Sequence, residues 1–268
     1  MTTSIHPTAV IDPRAELAAG VEVGPYAVIG PQVRIGPDCR IGAHVVLDGR
    51  LTMGRGNRVF PGACLGLEPQ DLKYTGDPTG VQIGDDNTIR ECVTINRATY
   101  GEEVTRIGSG NLLMAYSHLG HNCRLGDRIV IANGVAVAGH VEIGDRAVIG
   151  GVLGIHQFVH IGTLAMVGGM SRIERDVPPF CMVEGHPARV RALNRIGLQR
   201  SGLADLDDGR QLEELKRAWI QLYRRGHTLA EALAALRTQA LGPAADTLVT
   251  FLEASLGSNR RGPIPGAR

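Results

Sequence analysis

Aliphatic residues recur at every sixth position along most of this chain. From Ile5 the steps reach Ile11, Leu17, Val23, Ile29, Ile35, Ile41, Leu47, Met53, Val59 and Leu65. The phase returns at Ile83, Ile89 and Ile95, and again from Ile107 to Ile173. A period of six fits neither the 3.6-residue turn of an α-helix nor the two-residue alternation of a half-buried strand. It fits a parallel β-helix of hexapeptide repeats. Each hexad supplies one short strand that points its aliphatic inward. Glycine often follows the aliphatic, as at Gly24, Gly36, Gly108 and Gly126, where the chain must turn a corner. Three hexads close one triangular coil, and coils stack ~4.8 Å apart. The predicted class is mainly β, and spacing alone carries no handedness.

Two stretches break the pattern. Residues 66–82 and 98–106 are rich in glycine, proline and charge, and are predicted to project from the prism as loops. The repeat ends after Ile173, and Pro178, Pro179 and Pro187 mark a linker. A helical period begins near Val190. Leu212, Leu215, Trp219, Leu222 and Tyr223 share one helix face, Thr228 and Glu231 read as a capping box, and Pro243–Leu256 reads as a last helix. The expected organisation is a β-helix over 1–189, an α-helical domain over 190–257 and a flexible tail over 258–268.

Charge excludes one class of partner. With 28 Lys and Arg against 27 Asp and Glu, the chain lacks the basic excess of a nucleic-acid binder. With 43% hydrophobic residues spread evenly, it is not a disordered chain. No uninterrupted apolar run is long enough to cross a bilayer, so no transmembrane segment is expected, and the first residues do not read as a signal peptide. Five scattered cysteines without a Cys-x-x-Cys pair suggest reduced thiols in a cytoplasmic protein.

Chemistry concentrates in the histidines. Five of nine lie between His118 and His160. One full coil beyond His121 lies Gly139, and a second coil reaches Gln157. His140 and His156 stand one residue to either side of those positions. Period alone therefore puts His121, His140 and His156 near one corner of three successive coils. Imidazole suits general acid–base work, and a glycine on the next coil can offer an open N–H to an oxyanion. No Gly-x-Ser-x-Gly elbow and no Walker motif is present. His118, His121 and His140 could in principle hold zinc between subunits.

Distinctive stretches carry a family resemblance. They are Gln70-Asp71-Leu72-Lys73-Tyr74, Asn111-Leu112-Leu113-Met114, His118-x-x-His121, Ala138-Gly139-His140-Val141, His156-Gln157-Phe158 and Asp176-Val177-Pro178-Pro179. Through them the chain, from about Ile5 to Leu256, resembles the UDP-N-acetylglucosamine O-acyltransferases that open lipid A biosynthesis. The resemblance implies a left-handed prism and a homotrimer with active sites in the clefts between prisms. It implies transfer of an (R)-3-hydroxyacyl group from acyl carrier protein to the sugar 3-hydroxyl of UDP-N-acetylglucosamine, with no cofactor and no metal. It implies His121 as general base and the Gly139 amide as the oxyanion site. Asp71, Lys73, His118, His140, His156 and Gln157 would bind sugar and nucleotide, Asn194 and Arg200 would sit near the nucleotide, and Gly169 would stand where the family limits acyl length, its missing side chain leaving room for a long hydroxyacyl donor. The chain departs from the pattern at Asn122, where some relatives carry Asp, and at Ile196 and Ser201. Three other readings stand beside this one: transfer to a 3-amino sugar nucleotide, a zinc lyase resembling γ-class carbonic anhydrases, and a non-catalytic solenoid.

Overall fold

The structure, a computed structural model, describes residues 3–258 and 260–267. Most strands are very short, and as far as Ile173 each pairs in parallel with a strand three places away in the chain. The result is three parallel sheets folded into a triangular prism. The hexad aliphatics stack into three ladders, one per sheet. The first runs Ile5, Val23, Ile41, Val59, Ile89, Leu113, Ile131, Ile149 and Val167. The second runs Ile11, Ile29, Leu47, Leu65, Ile95, Leu119, Val137, Ile155 and Ile173. The third runs Leu17, Ile35, Met53, Ile83, Ile107, Leu125, Ile143 and Ile161. From Val23 to Ile173 these side chains are buried, so neighbouring coils share one continuous core.

The regular step between coils is three hexads, as from Ile5 to Val23. It lengthens to five hexads between Met53 and Ile83 and to four between Ile83 and Ile107. Both insertions are whole numbers of hexads, so the ladders keep their phase. Both leave the prism at the corner between the second and third sheets. Their free spans are 68–79 and 97–103, narrower than the expected 66–82 and 98–106, because Leu67 pairs with Asn96 and Gly80 with Val104 before the chain departs. The corner between the third and first sheets stays closed through the same coils. There the buried Asn57, Asn87 and Asn111 form a ladder, each side-chain oxygen accepting the N–H of the next coil.

Past Ile173, the last position of the hexad phase, the coil continues: Val177 bridges to Ile161 and Val183 pairs with Val167, a step shorter than three hexads. Two expectations change at the C-terminal end. The helical region starts at Arg195, since Ala188–Leu193 returns antiparallel along Cys181–Gly185 and buries Val190 and Leu193. Four α-helices follow among the described residues: α1 (Arg195–Arg200), α2 (Arg210–Tyr223), α3 (Leu229–Arg237) and α4 (Pro243–Ser255). The Thr228–Glu231 capping box opens α3, and Leu215, Trp219 and Leu222 form the buried face of α2. The expected flexible tail falls partly on Asn259 and Arg268, outside the described residues. The rest of it is pinned. Pro263 bridges to Asp176, Gly266 bridges to Val190, Ile264 is buried, and Arg260 pairs with the buried Asp176 carboxylate at 2.7 Å. A buried carboxylate demands a cation, which sequence periodicity does not display.

Candidate active site

The second–third corner carries the histidines. Asn122, His140 and Phe158 occupy equivalent places on three successive coils, each in the left-handed backbone region with φ of 60°, 59° and 65°. His121 precedes this column, and its ring lies across Gly139 on the next coil. The rings of His121 and His140 meet edge to face at 5.1 Å, and His140 stacks on Phe158 at 4.6 Å. The periodic reading therefore finds the corner. His156 stands at the entry to the same corner, outside the stack of rings. There its Nε2 lies 3.2 Å from Arg261, and Gln157 beside it is exposed.

Hydrogen bonds select one tautomer of His121. Its Nδ1 lies 2.9 Å from Asn122 Oδ1 and 2.9 Å from Thr99 Oγ1. The amide of Asn122 is oriented by two independent partners. Its Oδ1 accepts the Thr99 N–H at 3.1 Å, and its Nδ2 donates to Glu103 at 2.5 Å. An oxygen so placed can only accept, so Nδ1 carries the proton and Nε2 presents a lone pair. Thr99 gives its hydroxyl proton to Asp71 Oδ2 at 3.4 Å, leaving its own lone pair toward Nδ1.

Asp71 reaches the site from the first loop. Its Oδ2 stands 3.7 Å from His121 Nε2. The Lys73 N–H on Asp71 holds its carboxyl below the usual carboxylate range, and the Lys73 charge and the Thr99 hydroxyl act in the same sense. The Lys73 side chain is exposed. Arg97 fastens the loop: it donates to Tyr74 Oη at 2.9 Å and to the Gly66 carbonyl at 3.0 Å, and pairs with Glu68 at 3.2 Å. The loops also lock to each other where the Gly101 N–H donates to Asp77 at 2.7 Å.

Burial shifts the flanking histidines toward their neutral form. It pushes His118 and His140 below the usual histidine range. His118 shares a 2.7 Å hydrogen bond with Thr94. The Gly139 N–H has no acceptor among the described residues, and Gly139 is buried under the His121 ring. Among the described residues no three His, Cys, Asp or Glu side chains converge as a metal site.

Other candidates sit on other edges of this chain. Gly169 lies at the first–second corner, beside Gly151. The exposed side chains of Tyr116, Val152 and Met170 line that same edge. Asn194 lies at the third–first corner, where it caps α1 by accepting the Gly197 N–H and donates to the Leu164 carbonyl at 2.8 Å. Arg200 ends α1 and is exposed. A single copy thus brings together Asp71, His121, Gly139 and His140, with His118 one strand away, and separates them from Gly169, Asn194 and Arg200.

Sequence reasoning misses Thr99, Glu103, Arg97 and Phe158. Phe158 is recoverable, since it stands one full coil after His140. The other three lie in or beside the second insertion, where the hexad period predicts no partner.

Comparisons with known proteins converge. The family described as Udp N-acetylglucosamine O-acyltransferase, domain 2, matches residues 176–264. Bacterial transferase hexapeptide repeats match 2–36, 20–49 and 105–139. A protein of Rippkaea orientalis named acyl-[acyl-carrier-protein]–UDP-N-acetylglucosamine O-acyltransferase is 61% identical over 99% of this chain and 95% of its own. One of the same name from Synechocystis is 56% identical over 100% and 96%. Among solved structures, the UDP-N-acetylglucosamine acyltransferase of Campylobacter jejuni is 36% identical with a TM-score of 0.89, covering 99% of this chain and 100% of that one. The Arabidopsis enzyme is 31% identical with a TM-score of 0.80, covering 97% and 99%.

Proposed function

The chain belongs to the acyl-[acyl-carrier-protein]–UDP-N-acetylglucosamine O-acyltransferases, with their left-handed parallel β-helix, and from that premise we propose how its residues carry out the transfer. The reaction moves an acyl group from acyl carrier protein to UDP-N-acetylglucosamine. In the proposed reading the donor is an (R)-3-hydroxyacyl thioester, the acceptor is the sugar 3-hydroxyl, and the product enters lipid A biosynthesis in the cytoplasm. Five free thiols suit a reducing compartment. No helix among the described residues is long and apolar enough to cross a membrane.

His121 is the general base. Its Nδ1–H is committed to Asn122 and Thr99, so Nε2 takes the proton from the sugar hydroxyl as the oxygen attacks the thioester carbon. The Asp71 carboxylate, 3.7 Å from Nε2, opposes the positive charge that then develops on the ring. The Gly139 N–H receives the oxyanion of the tetrahedral intermediate. Collapse breaks the carbon–sulfur bond, and the proton on Nε2 passes to the departing thiol. His118, His140, His156, Gln157 and Lys73 line the approach and hold the sugar nucleotide. Neutral rings at His118 and His140 avoid a second cation beside the base.

A trimer completes this reading. Gly169, where side-chain bulk would shorten the acyl groove, and Asn194 and Arg200, near the nucleotide, lie on different edges from His121. They can join one site only across copies of the prism. The observation that carries the proposal is the tautomer of His121, which leaves Nε2 free beside Asp71 and Gly139. The experiment is transfer from hydroxyacyl carrier proteins of several lengths to UDP-N-acetylglucosamine and to its 3-amino analogue. Ester product at the 3-position supports the reading. Amide product alone would reassign the acceptor.

A further inference from the structure

We propose that Glu103 is a positioning residue for His121 and acts through the side-chain amide of Asn122. The inference rests on the reading of His121 as the base. Asn122 stands where a carboxylate would orient an imidazole directly, and an amide there is ambiguous. Turned one way it presents oxygen to Nδ1 and stabilises the tautomer with Nε2 free. Turned the other way it presents an NH₂, which would pull the ring proton to Nε2 and disable the base. Glu103 removes the ambiguity, because its carboxylate accepts the Asn122 Nδ2–H at 2.5 Å and cannot donate.

The surrounding backbone holds the arrangement in register. Asn122 lies at a left-handed corner with φ of 60°, a conformation asparagine adopts more readily than most side chains. Its own N–H donates to the buried Thr105 Oγ1 at 2.9 Å. The Glu103 carbonyl accepts the Gly80 N–H at 3.0 Å, and its N–H donates to the Tyr100 carbonyl at 3.1 Å. The insertion at 97–103 thus supplies both constraints on the amide: the Thr99 N–H on its oxygen and Glu103 on its nitrogen. A negative charge also stands one amide away from the ring that must become an imidazolium, a longer relay than a direct His–carboxylate pair.

Glu103 is exposed, so its replacement leaves the prism core intact. The test compares Glu103→Leu, Glu103→Gln and His121→Ala with the intact enzyme, in steady-state transfer and in ¹⁵N NMR of histidine-labelled protein. Glu103→Leu is expected to lower kcat about tenfold, the effect of one hydrogen bond, with KM unchanged. Its His121 signals should move from the Nδ1–H tautomer toward a mixture. Glu103→Gln keeps an acceptor oxygen and should restore most of the rate. A Glu103→Leu enzyme with wild-type kcat and tautomer overturns the inference, as does a loss confined to KM. If His121→Ala is inactive in that same experiment, the base assignment survives. If His121→Ala is also active, the base assignment itself has failed.

Discussion

A methyl carbon on Gly139 would occupy the space of His121 Nε2, so the glycine and the His121 ring form one fitted pair across two coils. Gly139 does not have the positive φ that would strain a larger residue. The atoms nearest to such a carbon all belong to the His121 ring. Gly139→Ala is therefore expected to fold normally and to lose activity by pushing the imidazole off its line to the sugar hydroxyl. A displacement on the order of 1 Å costs roughly 100-fold in rate. Thermal unfolding and kcat measured together check this: a stable enzyme with an unchanged rate would contradict it.

Asp71 and His121 meet across the first loop and the prism at 3.7 Å. Asp71→Asn keeps the shape of the loop and removes the counter-charge. The expected result is a kcat reduced roughly 10- to 100-fold, the scale of one charge-stabilising contact in a partly dry site. A change in KM alone would make Asp71 a sugar-binding residue and nothing more.

Stability should fall on the acid side of neutrality. His118 and His140 have pKa values lowered by burial, so the unfolded chain takes up protons first as pH falls below about 6.5. Their contribution is intact above that value and is lost as pH drops toward the depressed folded values. His118→Gln/His140→Gln should flatten the loss of unfolding free energy between pH 7.5 and 5. Urea titrations with parallel slopes for both proteins would contradict the assignment.

The C-terminal segment is fastened by charge as well as by packing. Asp176 is almost fully buried, accepts from Ser255 Oγ at 2.5 Å and pairs with Arg260 at 2.7 Å. Arg260→Leu leaves that carboxylate without its cation, and breaking a buried pair costs about 3 kcal/mol. Chemical denaturation gives the number. A cost below about 0.5 kcal/mol would mean that the pair behaves like an exposed surface bridge.

The hexads make the prism legible because every sixth side chain must fill the same narrow interior. All the repeat positions from Ile5 to Ile173 fall into the three ladders. The end of the prism is harder to read, since Val177 and Val183 follow a shorter step and Ala188–Leu193 turns back antiparallel. At the site, a step of one coil finds the corner of His121, Gly139 and His140. It cannot find Thr99 or Glu103, whose insertion follows no period and whose place depends on how two loops lock. The role of Asn122 is hidden for a related reason. An asparagine at a left-handed corner is ordinary, and only the carboxylate behind it shows which way the amide must face.

The role of His121 is tested most directly by the turnover of (R)-3-hydroxyacyl carrier protein and UDP-N-acetylglucosamine by wild type and His121→Ala. His121 lies on the prism surface, so the variant should keep its fold and oligomeric state. Product is expected from the wild type, and a rate at least roughly 100-fold lower from the variant. Wild-type turnover by a folded His121→Ala enzyme would contradict that role.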